Sequence, residues 1–138
     1  MFGRIAVSVA VACTALAVSG GPASAAPVKH SFTLNTVKGV SAHGWWSKGR
    51  KYVTVRLCVK DTFHDHRRGA FVVAWSGKKL KGNAIDPGID AASVSSEQYR
   101  RTVCETYSLQ LAQHLWVFPG TIYNSAEYGH KNKAKRLY

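Results

Sequence analysis

The sequence predicts an all-β protein, a small antiparallel β-sandwich or barrel closed by one disulfide. Three observations carry this. Apolar residues recur at every second position in segment after segment. No stretch of ten or more residues keeps a 3.6-residue period with good helix formers. The two cysteines that remain after the N-terminal segment is set aside, Cys58 and Cys104, stand 46 residues apart. Seven or so short strands at regular spacing fit such a domain. With 46 % hydrophobic and 19 % charged residues, the 138-residue chain is too apolar for disorder throughout and too short for several domains.

The segment 1–25 reads as a signal peptide. Arg4 supplies the positive n-region, 5–18 is apolar apart from Ser8, Cys13 and Thr14, and Ala23-Ser24-Ala25 is an A-x-A cleavage site. That apolar run falls short of the ~20 residues that span a bilayer, and no transmembrane segment is expected. A cut after Ala25 leaves a secreted domain over 26–138, and loss of Arg4 lowers the formal charge of +12 to +11. An even number of cysteines in an oxidising compartment reads as a Cys58–Cys104 disulfide.

The elements follow in order. Val28, His30, Phe32, Leu34 and Thr36 alternate with polar neighbours, which predicts a strand over about 29–37. Alternatively 26–45 is extended and added to a partner's sheet. Lys38-Gly39 punctuates, and 40–46 forms a short second strand. The segment 51–60 alternates strictly, with Val53, Val55, Leu57 and Val59 on one face and Tyr52, Thr54, Arg56, Cys58 and Lys60 on the other. A polar turn leads to a strand over 70–76, where Phe71, Val73 and Trp75 share a side. Ser76-Gly77-Lys78 is read as a hairpin turn before a strand at 79–84, and Asp86-Pro87-Gly88 as a loop. The stretch 89–96 is expected to hold one helical turn at most. A long strand over 98–111 places Val103, Tyr107, Leu109 and Leu111 opposite Arg100, Thr102, Cys104 and Thr106. Then come a strand at 114–118, a turn at Pro119-Gly120, and a closing strand over 121–128. Residues 129–138 form a basic tail. Both cysteines lie on polar faces, so the bridge is expected to tie neighbouring strands, or a strand end to a flanking segment, and need not pin two sheets through the core.

The run Val55-Arg56-Leu57-Cys58-Val59-Lys60-Asp61-Thr62, followed by Asp65 and Gly69-Ala70-Phe71-Val72, carries a family likeness. It resembles small secreted actinobacterial β-proteins whose strand reads V-x-x-C-V-K/R-D-T before a short polar turn and G-A-x-V. The likeness spans about 18 residues, and most members of that group have no assigned activity. The layout of signal, extended N-terminus and one-disulfide β-domain also resembles the small adaptor subunit of umbrella toxin particles, which joins a lectin subunit to a stalked toxin subunit. The resemblance implies that the N-terminal segment and the Trp45/Trp46 region contact partner subunits.

Candidate sites are few. Within Ala42-His43-Gly44-Trp45-Trp46-Ser47, adjacent strand residues point to opposite faces, so one tryptophan at most enters the core easily. The other is a surface aromatic suited to a partner's pocket or a sugar ring, unless both pack in a small barrel. His43, Trp45 and Trp46 are therefore candidate binding residues. So are Lys131, Lys133, Lys135 and Arg136 of the tail, which attract anionic polymers or simply keep the terminus solvated. Cations elsewhere are scattered over turns and strand ends, which speaks against sequence-specific nucleic-acid binding. Asp61, His64, Asp65 and His66 form the densest set of metal-type ligands, but Arg67 and Arg68 oppose a cation and no metal or other cofactor is expected. Asp61 is expected to accept backbone N–H bonds in the turn. Glu105, His114 and Arg101 would serve a metal-independent nuclease as base, acid and phosphate ligand. No G-x-S-x-G, H-E-x-x-H or Walker motif accompanies them, and an enzyme is not the expected reading. The sequence thus predicts an extracellular protein-binding or adaptor module. A stand-alone cationic cell-surface binder, a small hydrolase and an inhibitor of extracellular enzymes are the alternatives.

Overall fold

The computed structural model describes residues 21, 25–65, 67–78 and 90–138. The signal segment and the expected strand and loop at 79–84 and 86–88 lie largely or wholly outside them. Among the described residues, nine strands fall in two antiparallel sheets. One sheet runs β1 (His30–Val37), β2 (Val40–Lys48), β3 (Tyr52–Asp61), β6 (Thr102–Gln110). The other runs β5 (Asp90–Ser96), β4 (Arg68–Gly77), β7 (His114–Tyr123), β8 (Ala126–Gly129), with β9 (Lys135–Arg136) also paired to β7. The sheets pack face to face as a sandwich.

Alternation decides the packing. Val53, Val55, Leu57 and Val59 of β3 are fully buried, and they face Ala70, Val72 and Ala74 of β4 and Leu115 and Val117 of β7. Burying each such side chain contributes about 1.5–3 kcal/mol, so the inner face of β3 anchors the sandwich. On β4 the core face is therefore Ala70, Val72 and Ala74, while Phe71 and Trp75 lie on the outer side. There Phe71, Phe118 and Ile122 make a second apolar cluster against Val73 and Ala134.

Several expectations are corrected. The stretch expected to hold a helical turn is strand β5, because Ala92, Val94 and Ser96 face inward as it pairs along β4. Its small residues have weak strand preference, and the neighbouring strand overrides it. The long strand starts only at Thr102, since Arg100 adopts a left-handed φ of 61° in the preceding turn. Pro119-Gly120 is not a turn but the interior of β7. The carbonyl of Pro119 accepts the His130 N–H at 2.9 Å, so the residue's missing donor also points to that side and not toward β4. Gly120 is needed because the Phe71 ring lies across it, where a Cβ would overlap. The real turn is Asn124-Ser125, both at positive φ (48° and 65°), which joins β7 to β8 as a two-residue hairpin loop.

The segment read as a basic tail is ordered into the fold. A single 3-10 turn at Lys131–Lys133 leads to β9, paired at Trp116↔Arg136 and Val117↔Lys135. Leu137 and Tyr138 then pack against the core. The N-terminal segment is β1, the edge strand beside β2.

Cys58 and Cys104 are directly opposed on β3 and β6 and form the disulfide, with Cα atoms 4.1 Å apart. The bridge joins neighbouring strands on the outer face, one of the two arrangements that their polar-face positions leave open. For a loop of 46 residues the chain-entropy model makes it worth about 4 kcal/mol. The Cys58→Ala/Cys104→Ala double variant should therefore lose stability of that order in urea unfolding at neutral pH. A loss below about 1 kcal/mol would show that the unfolded chain is already constrained elsewhere.

Candidate binding face

The outward face of the β1-β2-β3-β6 sheet gathers the chemistry that the sequence scatters. Strand register lines residues up in rows across it. Thr33, His43, Cys58 and Cys104 form one row, and Ser31, Trp45, Arg56 and Thr106 form the next. The Lys29 ammonium lies 4.3 Å from the centre of the Trp45 ring, and Arg56 Nη1 donates to Thr106 Oγ1 at 3.4 Å. A shallow recess of about 330 Å³ opens between Ser31, Thr33, His43, Trp45 and Arg56. The outward positions of these four strands carry Lys29 just ahead of β1, then Arg56 and Lys60, and no Asp or Glu. The face is flat, Ser/Thr-rich, positively charged, and held rigid at its middle by the disulfide.

The expected binding residues divide. His43 is exposed and Trp45 half-exposed on this face. Trp46 points inward, 9 % exposed, its ring stacked on His30 at 4.4 Å and against Tyr138 at 4.9 Å. Burial removes Trp46 from the surface, and only Trp45 of the pair is presented. Lys133, Lys135 and Arg136 are exposed and Lys131 half-buried, on the edge of the other sheet, so the tail cations do not extend the Trp45 face. Sequence reasoning missed Arg56 and Lys29 as members of the site. Strict alternation placed Arg56 on the polar face, but nothing local gave the register that sets it beside Trp45.

His43 Nδ1/Nε2 and the two cysteine sulfurs lie within 4.8 Å of one another. Metal coordination needs thiolates, and the S–S bond consumes both sulfurs. The other metal-type set does not converge either. His64 Nε2 meets the Tyr99 hydroxyl at 3.1 Å, while Asp65 accepts Arg68 Nε at 3.1 Å and the Arg67 N–H at 3.2 Å. His66 lies outside the described residues.

Nor do Glu105, His114 and Arg101 assemble. Arg101, bonded to Gln98 Oε1 at 2.9 Å, precedes β6 at one end of the sandwich, whereas His114 starts β7 at the other. Glu105 is taken up by the Tyr107 hydroxyl, which also reaches Ser93 O at 2.8 Å. Desolvation first, then Glu105, push Tyr107 up to about 12.

Asp61 ends β3 on its inner side and is 1 % exposed. Its Oδ1 accepts the Phe63 N–H at 2.8 Å and its backbone carbonyl the Arg100 N–H at 2.7 Å. Its Oδ2 has no hydrogen-bond partner among the described residues. Desolvation raises its pKa, the Phe63 N–H opposes that, and Asp65 adds to it. A carboxyl bound more tightly to its proton in the folded state stabilises most below the unfolded value of 3.8. That contribution is lost as pH rises through the higher folded value.

No protein-family model matches this chain, and neither a curated protein nor a solved structure matches it.

Asp61→Asn keeps the acceptor for Phe63 and removes the titration. The difference between variant and wild-type urea midpoints should thus shift in the variant's favour from pH 3.5 to pH 7. A pH-independent difference would mean that Asp61 titrates normally in the folded chain.

Proposed function

We propose that this is a secreted extracellular protein-binding module that docks an acidic partner surface on the outer face of the β1-β2-β3-β6 sheet. The observation that carries the reading is Trp45, half-exposed at the middle of a rigid face lined by Lys29, Arg56 and Lys60 and free of acids. Tryptophan contributes large contact area for little lost side-chain entropy, and such residues dominate interface energetics. A pre-ordered face loses little further freedom on binding, because the ladder and the disulfide have already fixed it. Beside it, edge strand β1 offers backbone donors and acceptors to an added strand. The sharpest form of the proposal is an adaptor within a secreted antibacterial toxin complex. The layout resembles that of the umbrella-particle adaptor, and the toxic activity would belong to other subunits.

A second reading, a stand-alone cationic binder of anionic cell-surface polymers, draws on the exposed Lys133, Lys135 and Arg136. Its binding would fall steeply with salt, as exposed charge is screened.

Purification of the tagged protein from its own culture supernatant at moderate salt should bring down stoichiometric secreted subunits. Trp45→Ala should lose them while shifting stability by no more than about 0.5 kcal/mol, the range of an exposed substitution. Trp46→Ala serves as the contrast, losing about 3–5 kcal/mol as a core truncation. A monomer with no copurifying subunit removes the adaptor reading and makes cell-wall retention against salt the next measurement.

A further inference from the structure

A second site lies where the inter-sheet space opens between the β1–β2 turn and the end of β7. A cavity of about 410 Å³ is walled there by Val37, Phe63 and Tyr123, with Lys38, Arg68, His130 and the strand at Ile122 also lining it. Among the described residues, none of those lining it is acidic. We propose that this cavity binds a small amphipathic carboxylate, with an aromatic or branched apolar body against the Phe63 and Tyr123 side and its head group on Arg68. The site is separate from the Trp45 face, so the proposal stands independently of the docking role.

The apolar wall is fixed by the backbone around it. The Phe63 ring lies on Gly39, at φ +86°, where a Cβ would overlap it. Thr62 N–H donates to Gly39 O at 3.0 Å, and Phe63 N–H to Asp61 Oδ1 at 2.8 Å. The loop thus holds the ring against the turn. Such a wall does not have to be assembled when a ligand arrives.

The charged side is equally placed. The Arg68 guanidinium carbon lies 5.3 Å from the Phe63 ring centre and 5.8 Å from that of Tyr123. Asp65 takes its Nε at 3.1 Å, and among the described residues no other hydrogen bond to the guanidinium occurs. The terminal nitrogens therefore keep donors for a carboxylate, which a guanidinium binds with two parallel bonds. Lys38 adds a second positive charge from the turn, and His130 stands with Nε2 3.3 Å from Thr121 Oγ1. Asp65 offsets one charge, while Lys38 and Arg67 leave the region positive. The volume is near the lower end for small-molecule sites, and an apolar wall with a few polar groups is their usual make-up. A neutral apolar ligand would leave the cations unused, and a purely inorganic anion would leave the apolar wall wet.

The test is an amide-shift titration of the isotope-labelled mature protein with 4-phenylbutyrate, beside its uncharged analogue 4-phenylbutanol. Saturable shifts are expected at the amides of Lys38, Phe63, Ile122 and Tyr123, with Kd in the low-millimolar range or tighter for a ligand of about a dozen heavy atoms. The alcohol should bind at least about tenfold more weakly, as should the acid to Arg68→Gln, the scale of one charge-assisted hydrogen bond. Trp45→Ala should bind like wild type. Should Arg68→Gln fail to fold, Lys38→Gln, on an exposed turn, should still weaken the acid and leave the alcohol unchanged. Absence of saturable shifts at these amides, or equal affinity for acid and alcohol, overturns the proposal.

Discussion

The structure rests on the two-sidedness of β3. Its inner residues Val53, Val55, Leu57 and Val59 have no exposure at all, and its outer residues Thr54, Arg56 and Lys60 remain in or near solvent. β2 pairs along one edge and β6 along the other. A slip of one residue on either side would turn the neighbour's apolar set outward. The alternation of β3 therefore fixes the register of both neighbours. That register brings Cys58 opposite Cys104 and His43 beside Cys58, and it sets Trp45 next to Arg56. The disulfide and the candidate binding face are both consequences of this one pairing.

The two sheets then differ in how they treat their outer surfaces. The β5-β4-β7-β8 sheet is apolar on both sides, and Phe71, Phe118 and Ile122 on its outside are covered in part by Ala134 of the C-terminal segment. This gives β9 a structural purpose, since the chain crosses back over β7 to reach the core with Leu137 and Tyr138. Lys48 lies 4.7 Å from the Tyr138 ring centre and Trp46 packs against it at a tilt, so Leu137 and Tyr138 close one end of the sandwich. The residues read from sequence as a frayed cationic tail are therefore tied at both strand and core level. Among the described residues no such cover lies on the other sheet, whose outer face is polar.

At the opposite end, Asp61 organises the loops. One buried residue receives the N–H of Phe63 through its side chain and that of Arg100 through its backbone. It therefore holds the β3–β4 loop against the turn after β5. The cost is a carboxylate kept from water with one oxygen unpartnered, in the setting where burial most disfavours charge. The same arrangement presents Phe63 to the neighbouring cavity and keeps Arg68 close to it.

Much was legible from residues alone. The period of two along 51–60, the polar-face positions of both cysteines and the opposite directions of Trp45 and Trp46 are local facts, set by backbone geometry between neighbours in the chain. From them follow an all-β fold and a disulfide outside the core, while the register settles that the bridge is strand to strand and that Trp45 is the outward tryptophan. What the tertiary structure alone decided is non-local. Strand β5 forms from Ala and Ser because β4 needs a partner, and β7 runs through Pro119-Gly120 because the missing donor faces away from β4. Arg56 joins Trp45, and Tyr123 joins Arg68 beside Phe63, across gaps in the sequence that only pairing register closes. Side-chain direction is written one residue at a time. Which strands become neighbours, and in what register, depends on the burial of all the strands together.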